Sequence, residues 1–462
     1  GNHTALITHA NNESVNNKNN RTLFMTGSNK DNESLLQEPA QIFMSHEIPQ
    51  LSRPWQWQSV TCGWAFTIAV AGPETESGSE SGSEPRSRQD AEPTDSQVYA
   101  WGSGSFGELG LGAGVTKTGR QAVQINKGLL DTASWTFPDQ FQILKVRAGL
   151  RHVLLLAREK INEGHTKESQ RTMLMGWGSN RQGQLGILER SGTGSSPLTE
   201  KELRAKFLEP TRIRISTTKK HSNASASASD STDQAPVQET LPEIVDMACG
   251  QNHSLILFSD GTVYTSGCNK YGQLGPTASS NDQSKFRIGF EQVIGLPFMD
   301  SISCGWNHNA AMDTRSSSSS TTIFLWGRND HGQLGNSDAS SFRTVAVDIN
   351  EVSSIPLGIV QLRIPKSNDS KAAEDNECEE IVSYSCGSEH TLAMARSGHC
   401  YAWGWNEHGN CGSGGEVMEN LKDVLVPRRV QFPKAVSNTS PSPSVSGHGW
   451  VTGGYGSSWV WT

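Results

Sequence analysis

Five histidines stand in matching surroundings along the chain: His3, His152, His253, His308 and His390. As a bare list they resemble a set of metal-ligating imidazoles. Glu407 beside His408 sets a carboxylate next to an imidazole, the pairing that acid–base catalysis uses. Spacing argues against both readings. Each histidine holds the same place in a repeated phrase, so the five are dealt out one per repeat and not gathered at a point. Phe66 and Ser457 hold that place in two further copies, which a ligand role would forbid. The expected role is a ring nitrogen bonding the backbone of a neighbouring strand. Glu407 and His408 fall in a turn where His331 and Tyr271 take the place of His408, so a solvated turn or a protein contact is expected there. Four of the eight cysteines, Cys62, Cys249, Cys304 and Cys386, also share one repeat position. Equivalent positions in separate repeats are expected to lie far apart, which rules out disulfides among them. No Cys-x-x-Cys pair supplies zinc-finger spacing. Reduced, buried thiols point to the cytoplasm or nucleus. The chain also lacks a Gly-x-x-x-x-Gly-Lys-Ser/Thr phosphate loop and a nucleophile elbow in an α/β setting. No catalytic residue and no cofactor is predicted.

The phrase that carries the histidines reads Cys249-Gly250-Gln251-Asn252-His253-Ser254, and a second phrase alternates with it. That one reads Trp177-Gly178-Ser179-Asn180 with Gly183-Gln184-Leu185-Gly186. It returns at Trp101, at Gly267, at Trp326 and at Trp403, with a worn copy at Thr26-Gly27-Ser28-Asn29. Between the two phrases run short apolar stretches such as Ser254–Phe258 and Thr262–Ser266, joined at Ser259-Asp260-Gly261. Two short runs around a glycine turn make a β-hairpin. The leucine of Gln-Leu-Gly offers an apolar plug between units. One unit cannot bury its own apolar face, so units must stack, and a ring of them leaves few exposed edges. The expected fold is all-β, a single seven-bladed β-propeller over residues 1–462. Seven copies of the histidine phrase face six of the other, so one hairpin is expected to be missing before Gly1.

Composition fits short strands and many turns: of 462 residues 34% are hydrophobic and 46 are glycine. A net charge of −8 speaks against a general nucleic-acid binder, which needs a basic face. No apolar run approaches the roughly 18 residues of a membrane span. Low-complexity insertions near 74–96, 217–240, 315–322, 367–376 and 437–446 read as disordered loop expansions. Between two of them, Pro197 to Leu208 is expected to form a short helix, because Thr199 and Glu202 make a capping box. Trp101, Trp177, Trp326 and Trp403 fill a common structural slot. Trp64, Trp306, Trp405, Trp450 and Trp459 lie outside it and are candidate interface anchors, since tryptophan dominates binding hot spots.

These two phrases resemble the repeats of the regulator-of-chromosome-condensation family of propellers, and they cover nearly the whole chain. A narrower resemblance, to the fungal alpha-tubulin suppressor group within it, rests on Tyr401 to Gly412 and on the closing Gly453-Gly454-Tyr455-Gly456-Ser457-Ser458-Trp459-Val460. It implies a propeller without enzymatic chemistry that pairs with a small zinc-binding protein of diphthamide synthesis. Through that partner it would serve Elongator-dependent modification of tRNA wobble uridines, with no direct nucleic-acid or membrane contact. The residues it assigns to the partner are Trp405, Glu407, His408, Asn410, Ser458 and Trp459, joined by Trp64 and Trp306 as extra aromatics. The wider family implies a different activity, guanine-nucleotide exchange on a small GTPase.

Overall fold

The structure is a computed structural model. It describes residues 3–9, 21–27, 30–31, 33–34, 40–44, 55–73, 96–125, 141–159, 172–189, 198–215, 242–276, 284–313, 321–336, 359–366, 378–412, 422–431, 450–454 and 458–461. The expected insertions fall almost wholly outside these residues; only Ser96 and 321–322 are inside. Among the described residues seven antiparallel sheets follow one another. Sheet 1 holds His3–His9, Arg21–Gly27 and Ala40–Met44. Sheet 2 runs from Trp55–Cys62 through Phe66–Pro73 and Gln97–Gly102 to Val123–Gln124. Sheet 3 has Phe141–Ala148, His152–Glu159, Thr172–Ser179 and Lys206–Arg214, with Ile187–Leu188 added at its outer edge. Sheets 4, 5 and 6 begin at Ile244–Cys249, Ser301–Cys304 and Ile381–Cys386. Sheet 7 contributes Trp450–Gly453 and Ser458–Trp461. The architecture is a β-propeller.

Within a sheet the first strand ends on the Cys-Gly turn and the second starts at the histidine. The third ends on the Trp-Gly phrase or its counterpart, so in sheets 2 to 6 both phrases lie at the same end. The apolar cores lie between sheets. Leu109 of sheet 2 is fully buried among Val153, Met175 and Trp177 of sheet 3, and Leu185 of sheet 3 among Met247, Phe258 and Phe290 of sheet 4. The leucine is thus the plug between units that the sequence predicts.

The helix is shorter than expected. It spans Glu200–Leu203, capped by Thr199 with both bonds of the box formed, and ends because Lys206–Arg214 is recruited as the fourth strand of sheet 3. Sheet pairing overrides local helix preference from Lys206 onward.

Candidate interaction face

Four slots of the repeat build the phrase-bearing face. In the tryptophan slot, a bulge in the pairing of the third and fourth strands falls at Trp177 and at Trp403, which re-aims the side chain. The indole then reaches the preceding sheet. Trp101, Trp177, Trp326 and Trp403 donate to the carbonyls of Glu33, Glu108, Gln273 and Gln333 at 2.9–3.2 Å. All four rings are fully buried. In sheet 4 the slot holds Ser266, whose hydroxyl reaches the Gly183 carbonyl at 2.7 Å.

The asparagine slot holds the loop in shape. Oδ1 of Asn180, Asn269, Asn329 and Asn406 accepts the N–H five residues on, at Leu185, Leu274, Leu334 and Cys411. The glutamine slot, two residues beyond the exposed turn, accepts from that turn's N–H: Gln182 to Gln184, Tyr271 to Gln273, His331 to Gln333. The amino-acid pattern alone assigns these polar residues no role.

The histidine slot joins neighbouring sheets chiefly through side chains, and the expected backbone contact is also made, by His3 to Phe66 and by His308 to His390. His3 Nε2 meets Thr67 Oγ1 at 2.7 Å, His152 meets Ser254 at 2.9 Å and His253 meets Asn309 Oδ1 at 2.7 Å. His308 meets Thr391 at 3.1 Å, and His390 meets Ser458 at 3.0 Å. Burial drives the imidazole pKa to about 3 at His3, His152 and His308 and to about 4 at His253, so these rings are neutral. Phe66 replaces histidine in sheet 2, and Val153 replaces the hydroxyl opposite it in sheet 3; both sit in one apolar cluster.

The Cys-Gly turns converge on the middle of the molecule, around a cavity of about 160 Å³. Cys62, Cys249, Cys304 and Cys386 all line it, which corrects the expectation that they lie far apart. A ring brings its innermost strand ends together at the centre, a proximity that separation in sequence conceals. All eight cysteines are free thiols, and burial pushes those of Cys249 and Cys386 up to about 12. Backbone bonds link consecutive turns: Trp64 N to Leu150 O, Leu150 N to Gly250 O, Gln251 N to Trp306 O, Trp306 N to Ser388 O and Ser388 N to Gly454 O, at 2.8–3.3 Å. Trp64 and Trp306, half-buried and from sheets 2 and 5, bring their rings within 6.3 Å of each other at the cavity.

The remaining predicted residues cluster at sheets 6 and 7. Trp405 is half-buried, with the exposed His408 ring edge-on to it at 5.0 Å; Glu407 is exposed beside them. Asn410 is buried in the glutamine slot, its Nδ2 reaching Trp405 O at 3.4 Å. Its shorter side chain leaves Oδ1 without a hydrogen-bond partner among the described residues. Ser458 Oγ donates to Asn410 O at 2.6 Å and meets His390, so it holds the two sheets together. Trp459 follows, half-buried. Trp64 and Trp306 stand apart from this group, at the central cavity. Beside it lies a charged network that the sequence did not disclose. Arg328 pairs with Glu389 and Asp330, and His331 Nδ1 meets Asp423 Oδ2 at 2.8 Å. Asp423 in turn accepts from Asn406 N at 3.3 Å, tying the network to the Trp405 loop. Among the described residues no group of three or more histidine, cysteine or acidic side chains is arranged to hold a metal.

The RCC1-like domain profile matches residues 91–449, well over half of the chain. The chain belongs to the RCC1-like domain family. It is 26% identical to the ultraviolet-B receptor UVR8 of Arabidopsis thaliana, over 85% of this chain and 76% of the receptor. It is 27% identical to the secretion-regulating guanine nucleotide exchange factor of Bos taurus, over 88% of this chain and 67% of that protein. Among solved structures, human WBSCR16 superposes with a TM-score of 0.55 at 17% identity, covering 98% of this chain and 82% of its own. Prp20p of Saccharomyces cerevisiae gives 0.53 at 18%, covering 89% and 73%. At these identities the structural likenesses establish the RCC1-like propeller fold.

Proposed function

We propose that this RCC1-like propeller is a non-catalytic interaction scaffold of the cytoplasm and nucleus. It would hold a small zinc-binding protein of diphthamide synthesis and, through it, support Elongator-dependent modification of tRNA wobble uridines. The observation that carries this reading is the edge at sheets 6 and 7. There a half-buried Trp405 is braced by the exposed His408, above a buried Asn410 whose Oδ1 has no partner among the described residues. An aromatic anchor ringed by polar groups is the usual form of a binding hot spot. The kinship with a protein named a guanine nucleotide exchange factor favours a second reading, exchange on a small GTPase.

One titration separates the two. The purified chain is mixed with the small zinc-binding protein in a calorimeter, and release of labelled GDP from candidate GTPases is followed in parallel. The scaffold reading expects a one-to-one complex weakened about tenfold or more by Trp405→Ala, and also weakened by His408→Ala. No complex, together with accelerated GDP release, would replace it with exchange.

A further inference from the structure

Six side chains on the phrase-bearing face of sheets 2 to 4 form a site of their own. Phe106, in the exposed turn of sheet 2, has the Arg151 guanidinium 4.6 Å from its ring centroid and that of Arg181 at 5.1 Å, both reaching over from sheet 3. Arg204, closing the one-turn helix, lies 4.3 Å from the centroid of Phe286 in sheet 4, and its Nε donates to Arg181 O at 3.1 Å. Lys206 Nζ donates to Ser105 O, beside Phe106 in sequence, at 3.3 Å. Arg181, Arg204 and Lys206 are exposed, and Phe106, Arg151 and Phe286 half-buried.

Four cations are gathered here in a chain whose net charge is −8. The acidic groups close to them are accounted for. Glu108 is buried beneath, accepting from Phe106 N at 2.6 Å, and Glu200 lies 3.7 Å from Arg204 in a solvent-exposed pair. Glu202 is held by its capping box. Among the described residues no carboxylate lies within ion-pair distance of Arg151, Arg181 or Lys206. Stacking uses the flat face of a guanidinium and leaves its N–H edge to fork onto a carboxylate. The rings and backbone carbonyls fix these groups in place, which lowers the ordering cost of binding.

We propose that this cluster docks an acidic peptide segment, rich in aspartate and glutamate, from a partner protein. Charge complementarity selects the ligand, and the rest of the face limits its length. Sheets 5 and 6 present Asp330, Glu389, Glu407 and Asp423 at the same end, more acid than the Arg328 that pairs with two of them, so a long polyanion crossing the face would meet like charge. A short acidic segment would not. The site uses sheets 2 to 4 and is independent of the Trp405 edge.

The test is fluorescence anisotropy of a labelled decapeptide of alternating aspartate and glutamate. Arg181→Glu is expected to weaken binding about tenfold, as loss of a close charge pair does. Arg396→Glu, the same charge change at the opposite end of sheet 6, is expected to leave it unchanged. Phe106→Ala, which carries no charge change, is expected to weaken it as well by releasing both guanidiniums. Melting curves verify that each variant is folded. Equal losses in Arg181→Glu and Arg396→Glu, no binding by the wild type, or tighter binding of a single-stranded RNA of matched charge would each overturn the proposal.

Discussion

Single residues show how closely the repeat is written. The glutamine slot holds Gln184, Gln273 and Gln333 in sheets 3 to 5 but Glu108 in sheet 2, buried at 4% exposure. Burial raises the Glu108 carboxyl pKa, even though bonds from backbone N–H groups and the nearby Arg151 and Lys206 act the other way. A carboxyl whose folded pKa is raised binds its proton more tightly in the native state, so stability is gained as pH falls through that value and is forfeited above it. Glu108→Gln keeps the acceptor for Phe106 N and removes the buried charge. It is expected to raise the melting temperature at neutral pH by a few degrees and to leave it unchanged in acid. An unchanged or lower melting temperature at neutral pH would show that Arg151 and Lys206 outweigh desolvation here. The slot is legible in the sequence, since Gly107-Glu108-Leu109-Gly110 matches Gly183-Gln184-Leu185-Gly186. The cost is not, because burial depends on what the next sheet lays over the loop.

At the scale of the element, the glycine after the tryptophan decides whether strand and loop can meet. Gly404 has φ +108°, and a Cβ there would lie 2.6 Å from both Glu389 O and His390 Cα. Gly102, Gly178, Gly267 and Gly327 have the same conformation and the same close backbone. Gly404→Ala is expected to destabilise by about 2–4 kcal/mol, from backbone strain plus the clash. Gly119→Ala, which meets nothing within 4 Å, serves as the neutral control in a urea titration. Strands, turns and the Leu plugs were legible because each is a local pattern repeated several times. The helix was legible as to its start, through Thr199 and Glu202, but not its end, which the fourth strand of sheet 3 sets. The charged network of Arg328, Glu389, His331 and Asp423 was illegible. Its members come from different sheets, and no periodic signal links them.

Across the whole molecule, the buried histidines make stability depend on acidity. The unfolded chain takes up protons near pH 6.5, whereas His3, His152 and His308 refuse them until about 3 and His253 until about 4. Between those limits the unfolded state binds more protons, so stability rises with pH and is lost as pH falls below 6.5. The urea midpoint is expected to drop steadily from pH 7 toward 4, with uptake of several protons on unfolding measurable by calorimetry in buffers of different ionisation heat. A flat profile would mean that the rings are charged in the native state. The same ladder of histidines has an exception with another consequence. Rings of near-identical units invite mispairing, in which a sheet docks on the wrong neighbour during folding. A histidine-bearing sheet set against Val153 would bury its Nε2 with nothing to bond, whereas the Thr391 hydroxyl keeps a carbonyl partner of its own at Gln333 O. Docking a histidine on Val153 thus leaves a polar group unsatisfied, at about 1–3 kcal/mol. The apolar pair Phe66 and Val153 therefore marks the junction of sheets 2 and 3 as the one place where a histidine-bearing sheet is penalised.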